Sequence, residues 1–176
     1  MSRRAIAVLV GVFLVAAAVY WFGFRQKSVE ANVQVPILAA AIGEGDEAVG
    51  VAGNGAVVRW LSPPDDPPLP RLPLAEVPKG GKVRGTALEQ VRVLAAVPDQ
   101  LRPYVESSYF GESGVDVMLT SGIELRFGDA SQARRKWKAV AAVLADPSVT
   151  SLSYVDVHAP TRPAYEESGS ELPPAP

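Results

Sequence analysis

The chain's titratable chemistry gathers at strand-like spacing in its C-terminal half: Asp116, Glu124 and Asp156, with Arg126 among them, and His158, the single histidine. Carboxylates and an imidazole are the raw material of acid–base catalysis and metal binding. One histidine makes no multi-histidine metal site, and with no cysteine and no Gly-x-Ser-x-Gly elbow it has no nucleophile to serve. The acidic residues alternate with apolar ones around Arg126, so cross-strand ion pairing on a solvated face accounts for them, and His158 reads as a polar residue at a strand end. Pro78-Lys79-Gly80-Gly81-Lys82 resembles a phosphate loop superficially, because it does not join a strand to a helix with phosphate-cradle spacing. Zero cysteines exclude disulfides and thiolate chemistry. A net charge of −2 with interspersed signs gives no footprint for nucleic acid. The residues thus predict no enzyme, no cofactor, no metal and no small-molecule substrate.

The elements that must carry these residues begin with a membrane anchor. Ala5 to Phe24 contain no charged or amide side chain and are bracketed by Arg3 and Arg4 on one side and Arg25 and Lys27 on the other. Twenty helical residues span roughly 30 Å, the thickness of a bilayer's hydrocarbon core. Ala16 and Ala18 would satisfy a signal-peptide cleavage site, but Val19, Tyr20, Trp21, Phe22 and Phe24 extend the apolar run into an aromatic cluster, as a retained helix does at an interface. The expected organisation is a short N-terminus over residues 1–4, a single transmembrane helix over 5–24, a linker over 25–32 and one folded domain over 33–165. Residues 166–176, acidic and rich in Pro and Ser, read as a disordered tail.

Within the domain, Asn54-Gly55 signals a hairpin, and a two-residue turn there would pair Val51 with Val58 and Val49 with Trp60. The proline-dense stretch 62–78 reads as a stiff extended connection. Thr86 and Glu89 form a capping box for a helix bearing Leu88, Val91, Leu94 and Ala95, stopped by Pro98. Strands follow at Tyr104–Phe110, Val115–Thr120 and Ile123–Phe127. The last two must share an apolar face, which requires a three-residue loop with Gly122 left-handed and pairs Leu119 with Ile123, Val117 with Leu125 and Val115 with Phe127. A second helix, Ser131–Ala145, carries an apolar stripe of Ala133, Trp137, Val140, Ala141 and Leu144 opposite a basic face of Arg134, Arg135 and Lys138. A strand over Leu152–His158 closes an α+β domain with a mainly antiparallel sheet and two helices.

This order of elements resembles the FtsQ/DivIB family of bacterial cell-division proteins. The likeness runs through A-V-G-V-A-G-N-G-A-V-V, L-P-R-L-P-L, V-D-V-M-L-T-S-G-I-E-L-R-F-G, A-R-R-K-W-K-A-V-A-A-V-L-A and Y-V-D-V-H-A-P, and covers about Val33 to Tyr165. It implies an extracytoplasmic β-domain on an anchor whose N-terminus is cytoplasmic, working in the plasma membrane at the division septum as a scaffold of the divisome. The partners it implies are the small bitopic division proteins FtsB and FtsL. It also places a partner-binding sheet edge at the family's last strand, here Ala159, Thr161, Arg162, Ala164 and Tyr165; Pro160 and Pro163 each lack an N–H and point to opposite sides, so one loss falls on the inner ladder and one on the edge offered to the partner. The family's POTRA domain, roughly 70 residues between anchor and β-domain, is expected to be missing, since only Gln26 to about Ile42 is available for it. A POTRA-less paralogue or regulatory interaction domain is the second reading.

Overall fold

The computed structural model describes residues 36–173. The anchor over residues 5–24, the linker over 25–32 and the N-terminus lie outside them. Among the described residues no helix is long and apolar enough to cross a membrane.

The first three strands are β1 (Leu38–Ile42), β2 (Val49–Ala52) and β3 (Val57–Val58), in that order in an antiparallel sheet. β1 is buried along its whole length, as its run of five apolar residues requires. The hairpin at Asn54-Gly55 forms with a register one residue from that expected: Val51 pairs with Val57 and Gly50 with Val58. A two-residue type I′ turn would need positive φ at both Asn54 and Gly55, and only Gly55 adopts it, at 83°. The Asn54 side chain instead accepts the Ala56 N–H at 2.9 Å, and Ala52 closes on Ala56 around a three-residue loop. Trp60 consequently has no partner at Val49 and is 67% exposed.

The proline-dense connection is a structural joint as well as a spacer. Between Pro70 and Pro73, residues 70–72 run as a single extended strip between β1 and the next strand, β4 (Val105–Gly111). Ala41 donates to the Pro70 carbonyl and Leu72 to that of Ala41, both at 2.9 Å. On the other side Arg71 donates to Glu106 at 2.8 Å and Ser108 to Arg71 at 3.0 Å. The strip extends the first sheet into a second, antiparallel over β4, β5 (Gly114–Leu119) and β6 (Glu124–Gly128), then parallel at β7 (Ser151–Asp156) and antiparallel again at β8 (Ala164–Glu171).

The β5–β6 turn has the predicted geometry, with Gly122 at φ 86°, Leu119 bonded to Ile123 at 3.0 Å and Val117 paired with Leu125. Beyond Asp116 the ladder bulges, so Val115 pairs with Gly128 rather than Phe127. Beside the bulge Gly114, φ 115°, has its backbone so close to that of Gly128 that no Cβ fits between them.

Two helices cover one face of this sheet. α1 (Thr86–Leu94) buries Ala87, Val91, Val93 and Leu94, and α2 (Ala133–Leu144) buries Ala133, Trp137, Ala139, Val140 and Val143. The capping box does not form. Gly85 is the N-cap, and Glu89 reaches away to accept the Ala130 N–H at 3.2 Å and Arg92 at 3.0 Å, tying α1 to the entrance of α2. Trp137 is fully buried, 4.9 Å from Phe127 between ring centres, and its indole N–H donates to the Val93 carbonyl at 2.8 Å. Val115, Val117, Leu119, Leu125 and Phe127 complete the core from the sheet.

On α2, Arg134, Arg135 and Lys138 are exposed as expected, whereas Lys136 is 2% exposed. Its ammonium donates to the carbonyls of Phe127 (2.8 Å) and Asp129 (3.0 Å) and to the Asp129 carboxylate (2.7 Å). The Lys136 hydrogen bond, then that of Ser131, holds the Asp129 carboxyl at about 2, below its ordinary 3.8. Stability from a depressed carboxyl is present above its unfolded pKa and lost as pH falls through the folded one, here from about 4 to about 2. Asp129 is 67% exposed on its side chain, so the effect is screened and small. Lys136→Met is expected to return the Asp129 titration, followed by carboxyl-carbon NMR, toward 3.8; an unmoved titration would leave Ser131 as the sole cause.

Candidate partner-binding edge

The sheet has two ends. Past β3, Ala56 pairs with Lys82 and Val57 donates to Gly81 at 2.9 Å, so that end is covered. β4, an edge of its own sheet, is covered by Arg71. β8 has β7 on one side and, among the described residues, no strand on the other. An open edge of this kind presents a row of backbone donors and acceptors to another chain.

β8 corrects two expectations. Residues 166–171, read from their composition as part of a disordered tail, are the greater part of this strand. Its residues are nearly all exposed, so the strand carries no apolar alternation from which it could be read. The strand expected over Ala159 to Tyr165 is also shifted along the chain. Ala159, Thr161 and Arg162 lie in the turn between β7 and β8, where Arg162 donates to the Ala159 carbonyl at 2.9 Å, while Ala164 and Tyr165 open the strand. Pro160 and Pro163 fall in that turn and take no donor from the ladder. Ala164, Tyr165 and Glu166 pair regularly with Asp156, Val155 and Tyr154. Opposite Ser153 the strand bulges, with Gly169 at φ 120° and Ser153 Oγ bonded to the Ser168 carbonyl. Tyr165 is 39% exposed.

The face of the second sheet opposite the helices collects the titratable residues singled out above. Asp116, Arg126 and Asp156 stand side by side on β5, β6 and β7, and Met118, Glu124 and Tyr154 form the next row. Arg126 does not bridge to its cross-strand carboxylates. It pairs with Glu124 on its own strand at 3.1 Å and lies 4.0 Å over the Tyr154 ring. His158, two residues past β7, bonds Asp156 at 2.8 Å and the Ser113 carbonyl at 3.1 Å. The Ser113 contact chiefly, with Asp156, raises the His158 pKa, and the Arg126 hydrogen bond lowers that of Glu124. Burial and then Glu124 push the Tyr109 hydroxyl up to about 12. Asp116 departs from the solvated face expected of it. It is 6% exposed, its Oδ1 has no hydrogen-bond partner, and burial with Glu124 nearby raises its pKa. Among the described residues no three His, Cys, Asp or Glu side chains are grouped to hold a metal ion.

The architecture defines an α+β domain with two helices on one sheet face and an exposed edge strand at its C-terminal end. The family model for the C-terminal domain of cell division protein FtsQ/DivIB matches residues 40–158. The chain therefore belongs to the FtsQ/DivIB family, a family of non-enzymatic proteins that act in cell division. Comparison with curated proteins finds no match. The family match ends at His158, before β8, so the edge strand rests on the fold alone.

Proposed function

We propose that the chain is a bitopic membrane scaffold of the bacterial divisome, anchored by residues 5–24 with its domain outside the cytoplasm, and that a strand of a small bitopic division protein of the FtsB or FtsL type adds to β8. The observation that carries this reading is the open edge itself, in a sheet whose other lateral edges are covered. Backbone hydrogen bonds supply affinity in strand addition and alternating side chains supply specificity. The regular stretch Ala164–Glu166 is the natural centre of contact, with Tyr165 as the side-chain anchor and Glu166, Glu167 and Glu171 favouring a basic partner strand.

The test is binding of the full chain to the extracytoplasmic segments of its own FtsB and FtsL homologues, with proline placed singly from Tyr165 to Glu171. Every second proline removes an N–H that points away from β7, and those variants are expected to keep the fold and lose binding. Tyr165→Ala should weaken binding by roughly 2 kcal/mol, about thirtyfold. Undiminished binding by all the proline variants would falsify the edge assignment and turn attention to the basic face of Arg134, Arg135 and Lys138.

A further inference from the structure

Asp116 is a carboxylate on the outer sheet face that carries no ion pair and is buried as well. Glu124 is paired with Arg126 and Asp156 with His158, whereas Asp116 Oδ1 is buried with no partner. Asp116 lines a cavity of about 340 Å³ bounded by Tyr109, Glu112, Ser113 and the Glu124, Arg126, Asp156 and His158 side chains. The volume is many times the roughly 30 Å³ that one water molecule occupies. Four carboxylates against one guanidinium and one imidazole leave this concavity negative at neutral pH. Gly111 forms its wall beside Asp116 Oδ2, so close that a Cβ there would strike the carboxylate.

We propose that this cavity is a binding site for a guanidinium group, presented by an arginine of a protein partner. The charge of the wall selects a cation, and three features select a guanidinium among cations. A calcium ion requires six to eight oxygens converging at about 2.3 to 2.6 Å, and no three acidic or histidine side chains among the described residues are so grouped. A guanidinium instead spreads its donors across a planar fork that matches a carboxylate and stacks on aromatic faces. The wall offers the Asp116 carboxylate, Ser113 and the Tyr109 side chain. Arg126 over Tyr154 is the same pairing made within the protein one row away. The site is distinct from the β8 edge and stands whether or not a strand binds there.

The experiment is titration of the full chain with a capped arginine tripeptide, followed by NMR at the Asp116 carboxyl carbon and by calorimetry. The controls are the same tripeptide carrying citrulline, which is neutral and nearly isosteric, and calcium chloride. The arginine peptide is expected to bind at least about tenfold more tightly than the citrulline peptide, the loss expected for one charge-assisted hydrogen bond, and to lower the Asp116 titration on binding. Asp116→Asn should remove that preference. Gly111→Ala should weaken binding by displacing the carboxylate, and serves as the second variant should Asp116→Asn perturb the fold. Glu47→Gln, exposed between β1 and β2 and outside the cavity, should change nothing. Equal binding of the two peptides, an arginine preference that survives Asp116→Asn, or displacement of the peptide by millimolar calcium would overturn the assignment.

Discussion

Trp137→Ala is expected to destabilise the domain by about 3 to 5 kcal/mol, the usual cost of removing a buried aromatic, and so to leave much of the chain unfolded against a typical total of roughly 5 to 15. Two losses combine. The indole fills the space between α2 and Phe127 at 4.9 Å between ring centres, so truncation opens a cavity that the packed strands close poorly. It also withdraws the indole N–H from the Val93 carbonyl at 2.8 Å, leaving that buried acceptor with the backbone N–H of the helix end alone. Trp137→Phe separates the two by restoring part of the volume without the donor, and should recover about half the loss. Urea denaturation monitored by circular dichroism reads both; an unchanged midpoint for Trp137→Ala would show that α2 docks by another face.

Gly114→Ala is the second large effect, and it comes from backbone alone. At φ 115° a side chain is strained, and the Cβ would fall on the Gly128 carbonyl, backbone that cannot turn aside. Strain of about 1 to 2 kcal/mol adds to about 1 to 3 for forced overpacking. The damage should spread along β6, since Gly128 also packs against the His158 ring with no room for a Cβ. Gly80→Ala, where nothing lies within 4 Å, is the contrasting substitution and should be nearly silent. Equal melting temperatures for Gly114→Ala and Gly80→Ala would mean that the β5–β6 bulge relaxes freely.

The parts of this fold that could be read from sequence are those where a burial pattern and a turn residue agree. Gly122 between two runs that must share an apolar face fixes both the loop length and the register of β5 and β6 around it, and the structure has that register at Val117 and Leu125. The same logic fails at Gly114, because its close backbone approach to Gly128, where Val115 pairs, joins two separate strands and leaves no trace in either strand's pattern. At Asn54 a local side-chain hydrogen bond outweighs the dipeptide's preferred turn. Lys136 reads as part of a basic run, and only the carbonyls converging from Phe127 and Asp129 explain why it turns inward. β8 escapes any pattern argument, since its pairing with β7 is through backbone and its side chains face solvent. The strand expected over Ala159 to Tyr165 begins at Ala164, past the turn that holds Pro160 and Pro163.

The three-residue strip at Pro70, Arg71 and Leu72 has a bearing on self-association. Both strands it bonds, β1 and β4, would otherwise show free ladders, and every copy of the chain would carry the same two. Identical free ladders on identical molecules invite strand exchange and open-ended stacking. Pro70 and Pro73 lack N–H groups and hold the strip to this length. The proline-rich stretch thus acts as a seal: among the described residues it leaves one open strand margin, at β8, instead of three.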